Sequence, residues 1–97
     1  MRYEVIIPES VYSELAVEAG YYESKQENLG LSFILMWEEA MKQLQQNPLM
    51  FQIKQKQLRS IKLQRFPHLL IFEVIENKIL IYRVVQGQKK PKQIFKK

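Results

Sequence analysis

The hydrophobic period of this chain changes twice, and those changes limit the folds open to it. Residues 3 to 7 alternate, with Tyr3, Val5 and Ile7 set against Glu4 and Ile6, which predicts a strand. Pro8 ends it and suits the first turn of a helix, where Glu9 meets the positive helix end. From there Val11, Leu15, Ala19 and Tyr22 recur at helical spacing, interrupted by Gly20 at a cost of about 1 kcal/mol against alanine. Glu27-Asn28-Leu29-Gly30 reads as a short break. Phe33, Ile34, Trp37, Met41 and Leu44 then form one apolar stripe, with Glu38, Glu39, Lys42, Gln43 and Gln45 on the other sides. Gln46-Asn47-Pro48 stops this second helix. Two helices joined so closely pack as an antiparallel hairpin.

After Pro48 the period returns to two. Leu58 to Phe66 places Ile61 and Leu63 on one face and Ser60, Lys62 and Gln64 on the other, until Pro67 interrupts. Leu69 to Ile75 and Ile79 to Val85 are predicted strands around Glu76-Asn77-Lys78, where Asn77 tolerates a positive φ. Leu70, Phe72 and Val74 make an apolar face, and so do Leu80, Tyr82 and Val84. Both can meet the helices only across an odd-numbered loop, so a three-residue loop is expected. The reverse face then carries Glu73, Arg83 and Lys62, with Glu73 the expected cross-strand partner of Arg83. The predicted order is β-α-α-β-β-β, an α+β fold with a helical hairpin packed on one face of an antiparallel sheet. Ninety-seven residues make this a single domain, residues 1–97.

Charge is divided as sharply as period. Residues 1–47 hold three basic side chains (Arg2, Lys25, Lys42) and eight glutamates, a balance of −5. Residues 48–97 hold twelve Lys or Arg and two acids, Glu73 and Glu76, a balance of +10, and the two sum to the net +5. A half this basic draws in polyanions or acidic protein segments. With no cysteine there is no disulfide framework, thiolate metal site or cysteine nucleophile. No metal-ligand cluster, phosphate-binding glycine loop or nucleophile–His–Asp set is present, so no metal and no cofactor is expected. The opening residues lack a signal-peptide pattern, and the longest apolar run, Leu69 to Ile75, is too short to span a membrane. A cytoplasmic protein without membrane attachment is the expectation.

Several motifs recur in a fixed order. They are the opening strand Tyr3-Glu4-Val5-Ile6-Ile7, Ala19-Gly20-Tyr21-Tyr22-Glu23, the Leu29-Gly30 junction before Phe33, and Leu44-Gln45-Gln46-Asn47-Pro48. Arg59, Arg65-Phe66-Pro67, the strand Leu69 to Val74 and the basic stretch around Lys89-Lys90-Pro91 follow. In this order they resemble the RelE/ParE superfamily of toxins from type II toxin–antitoxin modules, especially its ParE-like, plasmid-stabilisation branch. The resemblance covers nearly the whole chain. It implies a bacterial toxin neutralised by an acidic antitoxin whose C-terminal segment wraps it. The implied target is DNA gyrase for a ParE-like member, or the ribosome and its mRNA for a RelE-like endonuclease; the third reading is an inactive relative that only binds antitoxin. Homodimer formation stays open. This chain has Gln86 where many relatives carry a His, and Ile94 and Phe95 where many end on an aromatic, often Trp. Without that His, no nearby side chain moves protons at neutral pH.

Cleavage of mRNA needs an activated 2′-OH, a stabilised phosphate and a protonated leaving oxygen. Arg59, Arg83 and Lys89 are the catalytic candidates, all suited to phosphate charge rather than proton removal, and Glu73, His68 or a lysine of depressed pKa is the remaining choice of base. The lack of an acid–base pair tilts the reading toward a non-hydrolytic, ParE-like inhibitor. Arg59, Lys62, Arg65, Arg83, Lys89 and Lys90 are the candidate antitoxin- or target-binding residues, expected to share one receptor surface on the sheet. Arg59 either lies on the open rim or braces the loop to the helices. His68 and Trp37 read as structural, Tyr22 as core, and Tyr21 as an exposed contact.

Overall fold

The structure, a computed structural model, describes residues 3–87. The element order is β1 (Glu4–Ile6), α1 (Glu9–Lys25), α2 (Leu29–Gln46), a 3-10 turn (Pro48–Met50), β2 (Ile53–Gln55), β3 (Leu58–Lys62), β4 (His68–Ile75) and β5 (Lys78–Gln86). This is the predicted α+β fold, with one short strand, β2, that the sequence pattern does not announce. The five strands lie in the order β1-β5-β4-β3-β2. β2 to β5 are antiparallel neighbours, whereas β1 joins parallel to β5, pairing Glu4 with Lys78 through Ile6 with Leu80. The sheet is therefore mixed at that edge rather than antiparallel throughout.

Pro8 is extended (φ −64°, ψ 153°) and caps α1, its carbonyl accepting from the Val11 and Tyr12 N–H groups. The inter-helix break is shorter than the sequence suggests. It spans residues 26–28, with Asn28 left-handed at φ 67°, and Leu29 and Gly30 already belong to α2. The orphan N–H groups there are met from the preceding helix. Glu23 Oε2 accepts from the Asn28 N–H (2.9 Å) and Oε1 from the Gly30 N–H (3.0 Å). A carboxylate at a helix N-terminus also suits the helix dipole.

The two stripes meet the sheet as predicted. Val11 and Leu15 of α1 and Phe33, Trp37, Ala40 and Leu44 of α2 are buried against Ile61, Leu63, Phe66, Leu70, Phe72, Ile79, Ile81 and Val84. Tyr22, Phe33, Phe66 and His68 form a ring cluster with centroids 4.8 to 5.8 Å apart, edge-to-face except for the tilted Tyr22–Phe33 pair. A smaller cluster of Leu58, Ile71 and Val85, with Leu69 and Tyr82, occupies the reverse face.

The β4–β5 hairpin departs from its predicted parity. Its loop is two residues, Glu76 and Asn77, between the paired Ile75 and Lys78. The positive φ falls on Glu76 (56°), not on Asn77. An even loop puts Ile79 and Ile81, rather than Leu80 and Tyr82, opposite Val74 and Phe72 on the core side. One extra residue, Tyr82, then sits between the partners of Phe72 and Ile71. This β-bulge restores Val84 opposite Leu70, as expected. The parity argument assumed an unbroken ladder, and a bulge cancels one such error with another.

Two glycines should respond in opposite directions. A Cβ on Gly30 would collide with the Ala19 carbonyl oxygen and crowd Glu23, while one on Gly20 meets nothing. Gly30→Ala should cost about 1–3 kcal/mol by overpacking. Gly20→Ala should gain about 0.5–1 kcal/mol in an exposed helix interior. Urea unfolding midpoints at constant slope check both.

Candidate functional site

Among the described residues, the basic side chains singled out by sequence fall in different settings. Arg59 lies directly opposite Phe72 and so shares its helix-facing side. Its Nη1 donates to the Phe51 carbonyl at 2.5 Å, with the Leu49 carbonyl at the outer limit of 3.5 Å. Both carbonyls belong to the 3-10 turn and the residue that follows it. Phe51, thus held, stands edge-on to Phe72 at 6.0 Å.

Arg83 reaches α1 rather than Glu73. Its Nε and Nη2 donate to Glu14 Oε2 at 3.1 and 3.0 Å, while Glu14 Oε1 accepts from the Val84 N–H at 3.3 Å. The bulge sets Arg83 opposite Ile71 of the reverse-face cluster, and its guanidinium reaches α1 past the edge of β5 that β1 leaves uncovered. With Arg83 more than a third exposed, the pair contributes only about 0.2–1 kcal/mol. Glu73 instead accepts from the Tyr82 hydroxyl at 2.6 Å.

Lys62 and Arg65 are exposed at the far end of β3. Lys62 lines a hollow of ≈ 330 Å³ with Pro67, Leu69 and Gly87, and Arg65 sits in the β3–β4 turn at φ 71°. Lys89 and Lys90 lie outside the described residues. Lys62 and Arg65 are thus the predicted binding residues that this end of the sheet leaves open to a partner.

A larger cleft of ≈ 530 Å³ opens between α1 and β5, lined by Ser13, Glu14, Val17, Glu18 and residues Arg83 to Gln86. Glu14 and Glu18 were not singled out by sequence. The available signal was their i, i+4 spacing on either side of Leu15, a pattern that ordinarily marks only a solvated helix face. Behind the cleft His68 is fully buried. Its Nε2 lies 3.2 Å from Glu18 Oε2, yet neither ring nitrogen makes a hydrogen bond. Wholly enclosed by rings and Glu18, His68 cannot touch a substrate, consistent with its structural reading. Burial raises the Tyr22 phenol above its ordinary value, with Glu18 adding to the effect. Among the described residues no group of acids and histidine is placed to hold a metal ion, and no helix is long and apolar enough to cross a membrane.

The Tyr82 phenol is pushed up to about 12, first by its hydrogen bond to Glu73, then by burial and the Glu73 charge. The unfolded phenol titrates near 10. Its contribution to stability is therefore full below pH 10 and is lost as pH rises toward 12. Phenolate absorbance should show two of the five tyrosines, Tyr22 and Tyr82, titrating late, and Glu73→Gln should bring Tyr82 alone back toward the others.

No protein-family model matches the sequence, and no curated protein matches it. Among solved structures, a chain from the structure described as "Chromosomal ParDE TA system from P. aeruginosa" superposes with a TM-score of 0.77. It is 19% identical, and the match covers 88% of this chain and 96% of that one. The likeness is one of fold, and the chain has the fold of that ParDE-system chain, as the sequence resemblance implied.

Proposed function

We propose that this chain is the toxin component of a type II toxin–antitoxin module, a ParE-like growth inhibitor that acts by binding its target. The observation that carries this reading is the near-complete superposition on a chain of the ParDE system, reached independently of the ordered motifs. The state of the candidate catalytic groups supports binding over hydrolysis. Arg59 is committed to the Phe51 carbonyl and Arg83 to Glu14, while His68 is enclosed. None of these is poised to exchange a proton with a substrate. By family resemblance the target is DNA gyrase, and the protein works in the bacterial cytoplasm.

Neutralisation falls to an acidic antitoxin whose C-terminal segment orders on this surface. Lys62 and Arg65, exposed at one end of β3, are its charge partners on the described part of the chain, and Lys89 and Lys90 extend the same basic half.

Induced expression without antitoxin should arrest bacterial growth, and purified protein should inhibit gyrase supercoiling. Undiminished supercoiling at micromolar protein would remove gyrase as the target. New codon-linked mRNA ends in primer extension would assign ribosome-dependent cleavage instead. Lys62→Glu with Arg65→Glu should weaken antitoxin association and flatten its salt dependence.

A further inference from the structure

Among the described residues, β5 carries the longest run of strand edge that no other strand pairs. β1 covers only Lys78 to Leu80 on that side, while β5 continues to Gln86. The outer edge of β2 is three exposed residues, carries Lys54 and is broken by a register shift, all features that blunt an edge. The β5 edge is guarded differently, by Glu14 accepting from the outward Val84 N–H. Successive N–H groups alternate sides along a strand, so Gln86 points the same way as Val84. Consistent with that, the Gly87 N–H turns inward to the Pro67 carbonyl at 2.7 Å. The ≈ 530 Å³ cleft runs beside this edge, with α1 as its second wall.

We propose that this cleft takes an extended segment of a protein partner, which adds to β5 as a strand and presents a lysine or arginine to Glu18. A main-chain carbonyl of that strand replaces Glu14 Oε1 at the Val84 N–H. Glu14 keeps Arg83 through Oε2, so the exchange breaks no ion pair. Main-chain bonding of this kind is how sheet edges bind peptides, with side-chain contacts adding selectivity. Selectivity here follows from charge. Arg83 and Glu14 satisfy each other, whereas among the described residues the one ion-pair contact of Glu18 is with buried His68, at 3.2 Å and without a hydrogen bond. Its side chain is 26% exposed, which leaves a carboxylate oxygen open to an incoming cation. Val17, largely exposed on the same wall, gives a neighbouring apolar side chain a place to pack. The cleft thus selects a charge opposite to the one that Lys62 and Arg65 attract. The inference does not depend on the toxin reading, since it is tested by binding rather than by growth.

The test uses the full chain, isotope-labelled, and a capped seven-residue peptide of alternating valine and threonine with a central lysine. Amide shifts should move at Arg83 to Gln86 and at Ser13 to Glu18, and the Val84 amide should exchange more slowly. Replacing the central lysine by glutamate should weaken binding about tenfold, and Glu18→Gln should abolish that preference while leaving the peptide bound. A backbone N-methylated version of the same peptide, tested on the unaltered protein, should not bind. No shift at Val84 or Gln86 with the lysine peptide would overturn the proposal. So would shifts centred on β2, equal affinity for the lysine and glutamate peptides, or full binding of the N-methylated one.

Discussion

The arrangement of the sheet depends on the single extra residue at Tyr82. Without a bulge, a nine-residue strand closed by a two-residue loop would present one parity from end to end. With it, Ile79 and Ile81 serve the core near the loop and Val84 serves it near the far end. Tyr82 goes to the reverse face, where its hydroxyl finds Glu73. Arg83 falls opposite Ile71 and meets Glu14 of α1 beside the β5 edge. One inserted residue thereby sets which side chains pack, where the helix hairpin is tied to the sheet, and where a cleft opens beside the strand. Bulges commonly re-aim side chains next to functional surfaces.

The chain's charge asymmetry acquires a different meaning once the positions are known. Among the described residues, the basic side chains of the +10 half have different partners. Arg59, on the helix-facing side, is bound to carbonyls, and Arg83, opposite Ile71, reaches a carboxylate of α1; both would leave acceptors unmatched if removed. Lys62 and Arg65 remain open at one end of β3. The long-range field still favours acidic partners, whereas short-range recognition is split between a basic end and a carboxylate-lined edge. A partner segment of mixed charge could satisfy both, with the field guiding its approach and the edge fixing its register.

Much of this was legible in the sequence, for identifiable reasons. The α2 stripe of Phe33, Trp37 and Leu44 was plain because a full helical face is buried. Ile61 and Leu63 were plain because β3 has one dry face. β2 was missed because all three of its residues are exposed, so no alternation marks it. The bulge was missed because Tyr82 fits a strand as well as its neighbours do, and no glycine signals the irregularity. Arg59 could not be assigned from sequence because its partners are main-chain carbonyls, which leave no trace in residue identity. Glu14 and Glu18 escaped notice because a carboxylate turned toward a strand edge and one turned toward water look alike on a helical wheel.

The carboxylate of Glu23 binds the first turn of α2 while itself belonging to the last turns of α1. Gly30 lets that turn rest against the Ala19 carbonyl. An N-terminus completed by its neighbour is incomplete until the neighbour exists, so neither helix is an autonomous folding unit at this corner. The hairpin is expected to assemble and dissolve as one cooperative block, with the local ordering of Glu23 coupling the fate of thirty-odd residues. A lesion at this corner would then be felt across the whole helical layer rather than as fraying of one end.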